Sequence, residues 1–155
     1  MPGGWAAAGD VAASETIYTF VLAPDGARRA IAFHQRIPMG KLTTHVLDTA
    51  HGCPAAGLRL ELFRMDEGQA VLLRQVSTNA DGRMDGPLLE GDELVAAAYR
   101  LVFEAGDYFA ARGLALPEPR FVDRIALDFG IAEPGQHYHV PLLVSPWSWS
   151  TYRGS

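Results

Sequence analysis

The chain of 155 residues has 13 Lys and Arg against 18 Asp and Glu, which gives a formal net charge of −5 at pH 7. This acidic balance, without a basic block, argues against nucleic acid or an anionic membrane surface as a partner. The single cysteine excludes an internal disulfide, and no apolar run approaches the roughly 20 residues of a membrane span. Because the N-terminus also lacks a secretory signal, we expect a cytoplasmic protein.

The first 41 residues differ from the rest of the chain and are interpreted as an N-terminal extension of uncertain structure. Segments 17–21 and 29–33 flank the turn signal Pro24-Asp25-Gly26, which favours a short hairpin. Met39 would be a natural start for the domain that follows. We therefore divide the chain into 1–41, which is an extension, an upstream-start artefact or a loosely attached segment, and a domain at 42–155.

Beyond residue 42 the sequence predicts short strands separated by clusters of turn residues, several of them with alternating apolar and polar positions. The predicted strands are 42–48, 58–64, 71–78, 99–104, 121–129, 139–144 and 147–152, with the last two forming a hairpin around Ser145-Pro146. Segment 107–112 predicts a short helix that ends at Gly113. Seven or eight strands with one short helix indicate an all-β protein, an antiparallel β-sandwich.

Histidines on two of the predicted strands are candidates for a functional site. In 42–48, a period of two places the core-forming residues on one face and His45 on the other. His137 and His139 share a face of a later strand, where a His-x-His pair can chelate a metal. No third ligand falls at a recognisable spacing, so we expect no metal site. From the residues alone, a lone strand histidine is more often an ordinary surface residue or one with satisfied hydrogen bonds than a functional one.

The remaining polar candidates are a turn arginine and the end of the chain. Arg83 closes the turn 79–82, and a solvated turn arginine is the simpler interpretation. Cys53 has no neighbouring basic residue in the sequence to activate its thiol. The chain closes on the tetrapeptide Tyr152-Arg153-Gly154-Ser155, whose phenol, guanidinium and hydroxyl suggest that the tail lines a site. The sequence contains no nucleophile elbow, phosphate-binding loop or dinucleotide fingerprint.

Five segments, in order, resemble the 5-hydroxyisourate hydrolases of the transthyretin-like protein family. They are LTTHVLDT at 42–49, GCPAAG at 52–57, TNADGR at 78–83, HYHVPLLVSP at 137–146 and STYRGS at 150–155. The resemblance covers 42–155 and implies a transthyretin-like β-sandwich. It also implies a homotetramer, assembled as a dimer of dimers, with active sites in the channel where the dimers meet.

The resemblance further implies hydrolysis of 5-hydroxyisourate to 2-oxo-4-hydroxy-4-carboxy-5-ureidoimidazoline in urate degradation, without a cofactor. Carried over by position, His45, Arg83, His139 and Ser155 are the expected catalytic residues, and His45, Arg83 and Tyr152 are expected to bind substrate. The two histidines would share water activation and proton delivery, while the arginine would anchor the ring and stabilise negative charge. Which histidine acts as the general base stays open.

Two further expectations concern the tail and a rival function. Arg153 is expected to hold the tail in place through an ion pair rather than to act on substrate. The alternative function is that of a non-catalytic, transthyretin-like carrier of a small aromatic ligand. Three ionisable groups at the site suit a hydrophobic carrier poorly, which favours the enzyme.

Overall fold

The computed structural model describes residues 14–22, 28–36 and 40–154. The chain divides into two compact units, Met1–Met39 and Gly40–Ser155. In the first unit, β1 (Ser14–Leu22) pairs with β2 (Arg28–Arg36) in antiparallel register. Both strands of the predicted hairpin are present, and the turn signal between them lies outside the described residues. The interpretation of 1–41 as an extension stays a prediction.

The second unit contains short strands and little helix, as its alternating apolar pattern predicts. In chain order its elements are β3 (Lys41–Thr43), β4 (Val46–Asp48), β5 (Cys53–Pro54), β6 (Arg59–Asp66), β7 (Gln69–Ser77), β8 (Leu89–Glu90), a 3₁₀ turn (Gly91–Glu93), β9 (Ala97–Glu104), α1 (Ala105–Ala111), β10 (Arg124–Ile131), β11 (His137–His139), β12 (Leu142–Ser145) and β13 (Ser148–Thr151). Within the described residues, no helix has the length and apolar character needed to cross a membrane.

One layer is a four-stranded antiparallel sheet in the order β10-β9-β6-β7. Leu60 and Leu62 in β6 and Leu101 and Phe103 in β9 are fully buried, while Glu61, between the first two, is only partly buried. This period of two is the pattern expected when only one face of a sheet contacts the core.

The second layer is built from two interrupted strands that run side by side. β3 and β4 are separated by Thr44 and His45, and they pair in parallel with β11 and β12, respectively. Hydrogen bonds from Val140 N–H to Thr43 C=O, at 2.9 Å, and from Leu142 N–H to His45 C=O, at 2.8 Å, carry the pairing across the interruptions. β13, β5 and β8 complete this layer at its edges.

The buried side chains of the two layers form one hydrophobic cluster, so the predicted β-sandwich is confirmed. Leu42, Val46, Leu142 and Val144 come from the second layer and are at most 1% exposed. The short helix α1 adds the buried Phe109 to the same cluster. The core therefore leaves the opposite face of β3, β4, β11 and β12 available for polar side chains.

Several details of the predicted strands are wrong. The single strands expected at 42–48 and 139–144 are each interrupted, as β3/β4 and β11/β12. The strand expected at 121–129 begins at Arg124 and continues through Gly130 to Ile131, because Gly130 keeps its register opposite Ala98. Not all pairing is antiparallel, since β3/β4 and β11/β12 run in the same direction. Side-chain alternation has the same period in parallel and antiparallel strands, so the sequence pattern does not distinguish them.

Candidate active site

His45 lies at the break between β3 and β4, on the side of the sheet opposite the core. Its neighbours Thr44 and Val46 are 3% and 1% exposed. The Thr44 hydroxyl donates to the Val140 carbonyl at 2.7 Å, which satisfies this buried polar group. Because side chains alternate along the strand, the burial of these two neighbours directs His45 away from the core.

His139 lies on the adjacent strand β11, and its imidazole contacts that of His45. His45 Nδ1 is 2.7 Å from His139 Nε2, and the two rings are inclined by only 18° with centroids 4.9 Å apart. The two nitrogens, 2.7 Å apart, are much closer to each other than the ring centres are, at 4.9 Å. The nitrogens therefore lie between the ring centres. The contact is therefore an edge-to-edge hydrogen bond between nearly coplanar rings.

The surroundings of both imidazoles favour their neutral form. Burial lowers the pKa of His45, and the positive charge of Arg83 lowers it further. Burial also lowers the pKa of His139, with smaller contributions from His45, Arg83 and His137. At neutral pH both rings are thus able to accept a proton.

A threonine hydroxyl and a third imidazole extend this pair. Thr43 Oγ1 lies 2.8 Å from His139 Nδ1 and 2.9 Å from His137 Nε2. Thr43 is the register partner of His139 in the parallel strand pair, which explains their proximity. Thr43 is not among the residues predicted for the site, although its position two residues before His45, on the same strand face, is a signal in the sequence that points to it.

Arg83 reaches this region from a tight turn. Asn79 Oδ1 accepts the backbone N–H of Asp81 at 3.0 Å and that of Arg83 at 3.1 Å, and Gly82 takes a φ of 69° that favours glycine. The turn brings Arg83 into a backbone bridge with His45. Among residues 40–154, no carboxylate lies within ion-pair distance of Arg83. No carboxylate from these residues therefore neutralises the positive charge that Arg83 exerts on the two histidines.

The C-terminal segment folds back onto β11. Gly154 N–H donates to the His139 carbonyl at 2.8 Å, and a Cβ on Gly154 would lie 2.9 Å from His139 Cδ2. Arg153 donates to Gln136 Oε1 at 2.8 Å and places its guanidinium 4.5 Å from the centre of the Tyr138 ring. Within the described residues the partners of Arg153 are neutral, so the expected ion pair is replaced there by a hydrogen bond and a cation–π contact.

The tail and β11 together form the walls of a cavity of about 740 Å³ that is open to solvent. The cavity is lined by Gln136, His137, His139, Tyr152, Arg153 and Gly154. Tyr152 is 57% exposed and faces it from the tail side. His139 and Tyr152 both line this cavity. His45 and Arg83 are not part of its lining; His45 adjoins it through its bond to His139, and Arg83 through its backbone bridge with His45. Ser155 lies outside the described residues.

Matches to known proteins identify the family to which this chain belongs. The model of the HIUase/Transthyretin family matches residues 42–154. The chain belongs to the HIUase/Transthyretin family. It is 58% identical, over 118 residues, to the 5-hydroxyisourate hydrolase of Pseudomonas aeruginosa, covering 76% of this chain and 94% of that protein. The predicted family resemblance is therefore confirmed.

Solved structures of family members and their relatives agree with this membership. A Klebsiella pneumoniae 5-hydroxyisourate hydrolase is 39% identical with a TM-score of 0.63, covering 75% of this chain and 99% of that one. An (S)-allantoin synthase is 50% identical with a TM-score of 0.72, over 76% of this chain. This chain spans only 44% of the length of that synthase chain.

This family member also holds a second histidine network, which the sequence analysis missed. The carboxylate of Asp48 is fully buried, and its Oδ2 lies 2.6 Å from His51 Nδ1 and accepts the Tyr108 hydroxyl at 2.9 Å. Its Oδ1 accepts the backbone N–H groups of Ala50 and His51, each at 3.0 Å. Burial and the bond to Asp48 raise the pKa of Tyr108 to about 12. Every buried side-chain nitrogen and oxygen in this network has a hydrogen-bond partner, which indicates a structural role.

Two further features are the surroundings of the Cys53 thiol and the arrangement of possible metal ligands. Arg112 Nη2 lies 3.8 Å from Cys53 Sγ, so a basic group that is distant in sequence is adjacent in space. Within the described residues, no group of three or more His, Cys, Asp or Glu side chains is arranged to hold a metal ion.

Proposed function

We propose that this chain catalyses the hydrolysis of 5-hydroxyisourate to 2-oxo-4-hydroxy-4-carboxy-5-ureidoimidazoline, a step of urate degradation. The observation that carries the proposal is the pair of neutral imidazoles, His45 and His139, bonded at 2.7 Å beside the Arg83 cation. The names of the relatives support the same reaction, since those with 56–58% identity over most of their length are 5-hydroxyisourate hydrolases.

The proposed chemistry needs a base, a cation and a positioned water. A neutral imidazole of the His45–His139 pair takes a proton from water as its oxygen attacks the ring carbonyl, and the pair returns a proton to the leaving nitrogen. Arg83 anchors the planar ring through its guanidinium fork and stabilises the developing oxyanion. The substrate carbonyl is already activated by its strained ring, so no covalent nucleophile is required.

The tail residues complete the proposed site. Tyr152 binds the substrate edge, which its exposed position on the cavity wall supports. Arg153 anchors the tail through Gln136 and Tyr138 and leaves the chemistry to other groups. Ser155 is proposed to position water or substrate on the strength of the family resemblance alone.

We further propose a cytoplasmic homotetramer, arranged as a dimer of dimers. In the described residues β13 pairs with β12 on one side only. Trp149 in this strand is 44% exposed, and Trp147 in the turn before it is 59% exposed. A free strand edge beside exposed aromatics is suited to pairing with a second copy. Native mass spectrometry should give about four times the 16.8 kDa protomer mass, and a monomer at micromolar concentration would contradict the assembly. Cell fractionation tests the location.

One assay separates the enzyme from the carrier. The unstable substrate is generated in place from urate by urate oxidase, and its ultraviolet absorbance is followed with and without this protein. We expect decay to accelerate in proportion to protein concentration. Unchanged decay together with saturable binding of the heterocycle would contradict the enzyme and favour the transthyretin-like carrier.

A further inference from the structure

Four side chains of the second unit form one unbranched chain of hydrogen bonds. His45 Nδ1 bonds to His139 Nε2 at 2.7 Å, and His139 Nδ1 bonds to Thr43 Oγ1 at 2.8 Å. Thr43 Oγ1 bonds in turn to Nε2 of His137 at 2.9 Å. Among residues 40–154, neither His45 Nε2 nor His137 Nδ1, the two ends of the chain, has a further protein partner.

Thr43, which lies between His139 and His137, couples the positions of the protons in all four groups. A hydroxyl has one proton, so when Thr43 donates to one imidazole it must accept from the other. Each neutral imidazole likewise has one N–H, so the direction of donation at Thr43 fixes the tautomers of His139 and His45. Only two arrangements satisfy all three bonds: one leaves His45 Nε2 free to accept a proton, and the other leaves His137 Nδ1 free.

We propose that this series of four hydrogen-bonded side chains is a proton relay for the hydrolytic site. Thr43 sets the tautomer of His139, and His137 releases the proton to solvent. The inference rests on the proposed function. In the first arrangement, His45 Nε2 accepts a proton from the attacking water and returns it to the leaving nitrogen, and it then accepts the proton of the carboxylic acid that forms. The His45 Nδ1 proton moves to His139, the His139 Nδ1 proton moves to Thr43, the hydroxyl proton moves to His137, and the His137 Nδ1 proton leaves. After product release, proton exchange with solvent at His45 Nε2 and His137 Nδ1 restores the first arrangement.

The reaction itself produces the proton that such a relay would carry. Water supplies its oxygen to the carbonyl carbon, the carbon–nitrogen bond breaks, and the leaving nitrogen takes one proton. The carboxylic acid that forms is ionised at neutral pH, so a second proton must leave the site in every turnover. His137 is exposed and lines the cavity, which suits it to the exit position.

A comparison with other threonines separates this role from strand stability. The hydroxyls of Thr44 and Thr49 both donate to backbone carbonyls across the parallel strand pair. The Thr43 hydroxyl bonds only to imidazoles in the described structure. Valine would fit the strand at Thr43 as well as threonine does, so the hydroxyl is explained by the histidines.

The first test removes only this hydroxyl. We expect Thr43→Val to lower kcat by about 10²-fold, the lower end of a typical acid–base contribution, with KM changed less than about threefold. Thr43→Ser should keep near-wild-type kcat, and Thr49→Val is the matched control for loss of a threonine hydroxyl on these strands. Nitrogen NMR of the histidines should show equal tautomer populations for His137 and His139 in wild type and in Thr43→Ser, but different populations for the two rings in Thr43→Val.

The second test addresses the exit and uses an exposed position at which folding is not at risk. His137→Gln should lower kcat in dilute buffer, and added free imidazole should restore it by accepting the proton directly, while the wild type should respond little. Wild-type kcat in Thr43→Val, an equal loss in Thr43→Ser, or a His137→Gln defect that imidazole leaves unchanged would overturn the relay while the hydrolase stands. An inactive wild type would overturn the proposed function and the relay with it.

Discussion

Two histidines only six positions apart in sequence, His45 and His51, occupy opposite chemical environments. The imidazole of His51 faces the buried carboxylate of Asp48 at 2.6 Å, within a network whose buried side-chain nitrogens and oxygens all have hydrogen-bond partners. His45 faces another imidazole at 2.7 Å and lies in the field of an arginine. The Asp48 carboxylate fixes the position of the His51 ring, whereas burial and then the charge of Arg83 lower the pKa of His45 and leave its ring able to accept a proton. The first arrangement suits stability and the second suits catalysis.

The largest expected effect comes from removing either imidazole of the reactive pair. His45→Ala or His139→Ala should lower kcat for 5-hydroxyisourate by about 10²–10⁴-fold, the range for a general acid or base, while the unfolding free energy changes little. His51→Ala is the matched control and should lower stability by about 1 kcal/mol with kcat nearly unchanged. Wild-type turnover in either His→Ala variant of the pair would contradict the comparison.

Deleting residues 152–155 should also affect catalysis more than folding. The deletion removes Tyr152 from the cavity and frees the imidazole of His139, against which Gly154 packs. Because a displacement of about 1 Å can cost 10²-fold in rate, we expect a loss of about that size. Loss of one hydrogen bond and one exposed cation–π contact predicts a stability decrease of only about 1–2 kcal/mol. Steady-state kinetics and thermal unfolding measure the two effects, and an unfolded product would favour a structural role for the tail.

The opposite result is expected in the structural network. Asp48→Ala leaves the Tyr108 hydroxyl and two backbone N–H groups without their acceptor, which should cost about 3 kcal/mol of unfolding free energy. Asp48→Asn keeps one acceptor oxygen and should lose less. Denaturant unfolding at a fixed protein concentration measures both. Equal stability of Asp48→Ala and wild type would show that the network contributes little.

The same carboxylate also predicts how stability depends on acid. Burial opposes the ionisation of Asp48, but hydrogen bonds from His51 and Tyr108 outweigh it and hold the pKa of Asp48 below its usual value. A lowered native pKa contributes stability that is present above the unfolded pKa and is lost as pH falls through the native one. The acid-induced loss of stability should therefore be shallower in Asp48→Ala than in wild type.

Much of the fold was predictable because its signals are local. Residues 59–62 of β6 and 98–101 of β9 alternate between buried and more exposed side chains, and α1 is followed by Gly113, whose φ of 82° suits the end of a helix. The predicted helix starts two residues late, at 107 instead of 105, because its first residues are small and apolar and carry no start signal. The parallel pairing of β3/β4 with β11/β12 was not predictable from a period that both orientations share.

The candidate site was predictable only in part, because its residues are distant in sequence and the contacts between them leave no local signal. Alternation placed His45 on the non-core face, but nothing in the residues alone indicated that His139, 94 positions away, would bond to it. Family resemblance supplied that connection. Neither approach singled out Thr43 or Asp48, because a threonine on a strand and an aspartate before a turn are ordinary in sequence. Their significance comes from partners that only the folded chain brings together.

The smallest expected effect isolates the field of Arg83. Because burial and then Arg83 lower the pKa of His45, and because the neutral ring is the active form, kcat/KM should rise with pH to a plateau whose midpoint lies below 6.5. Arg83→Gln removes the charge and should move this midpoint upward. It should remain below 6.5, since burial is the larger cause and persists. Arg83→Lys should leave it in place, and added salt should raise it in wild type but not in Arg83→Gln. An identical midpoint in wild type and Arg83→Gln would mean that burial alone keeps the reactive pair neutral, and that the guanidinium serves the substrate only.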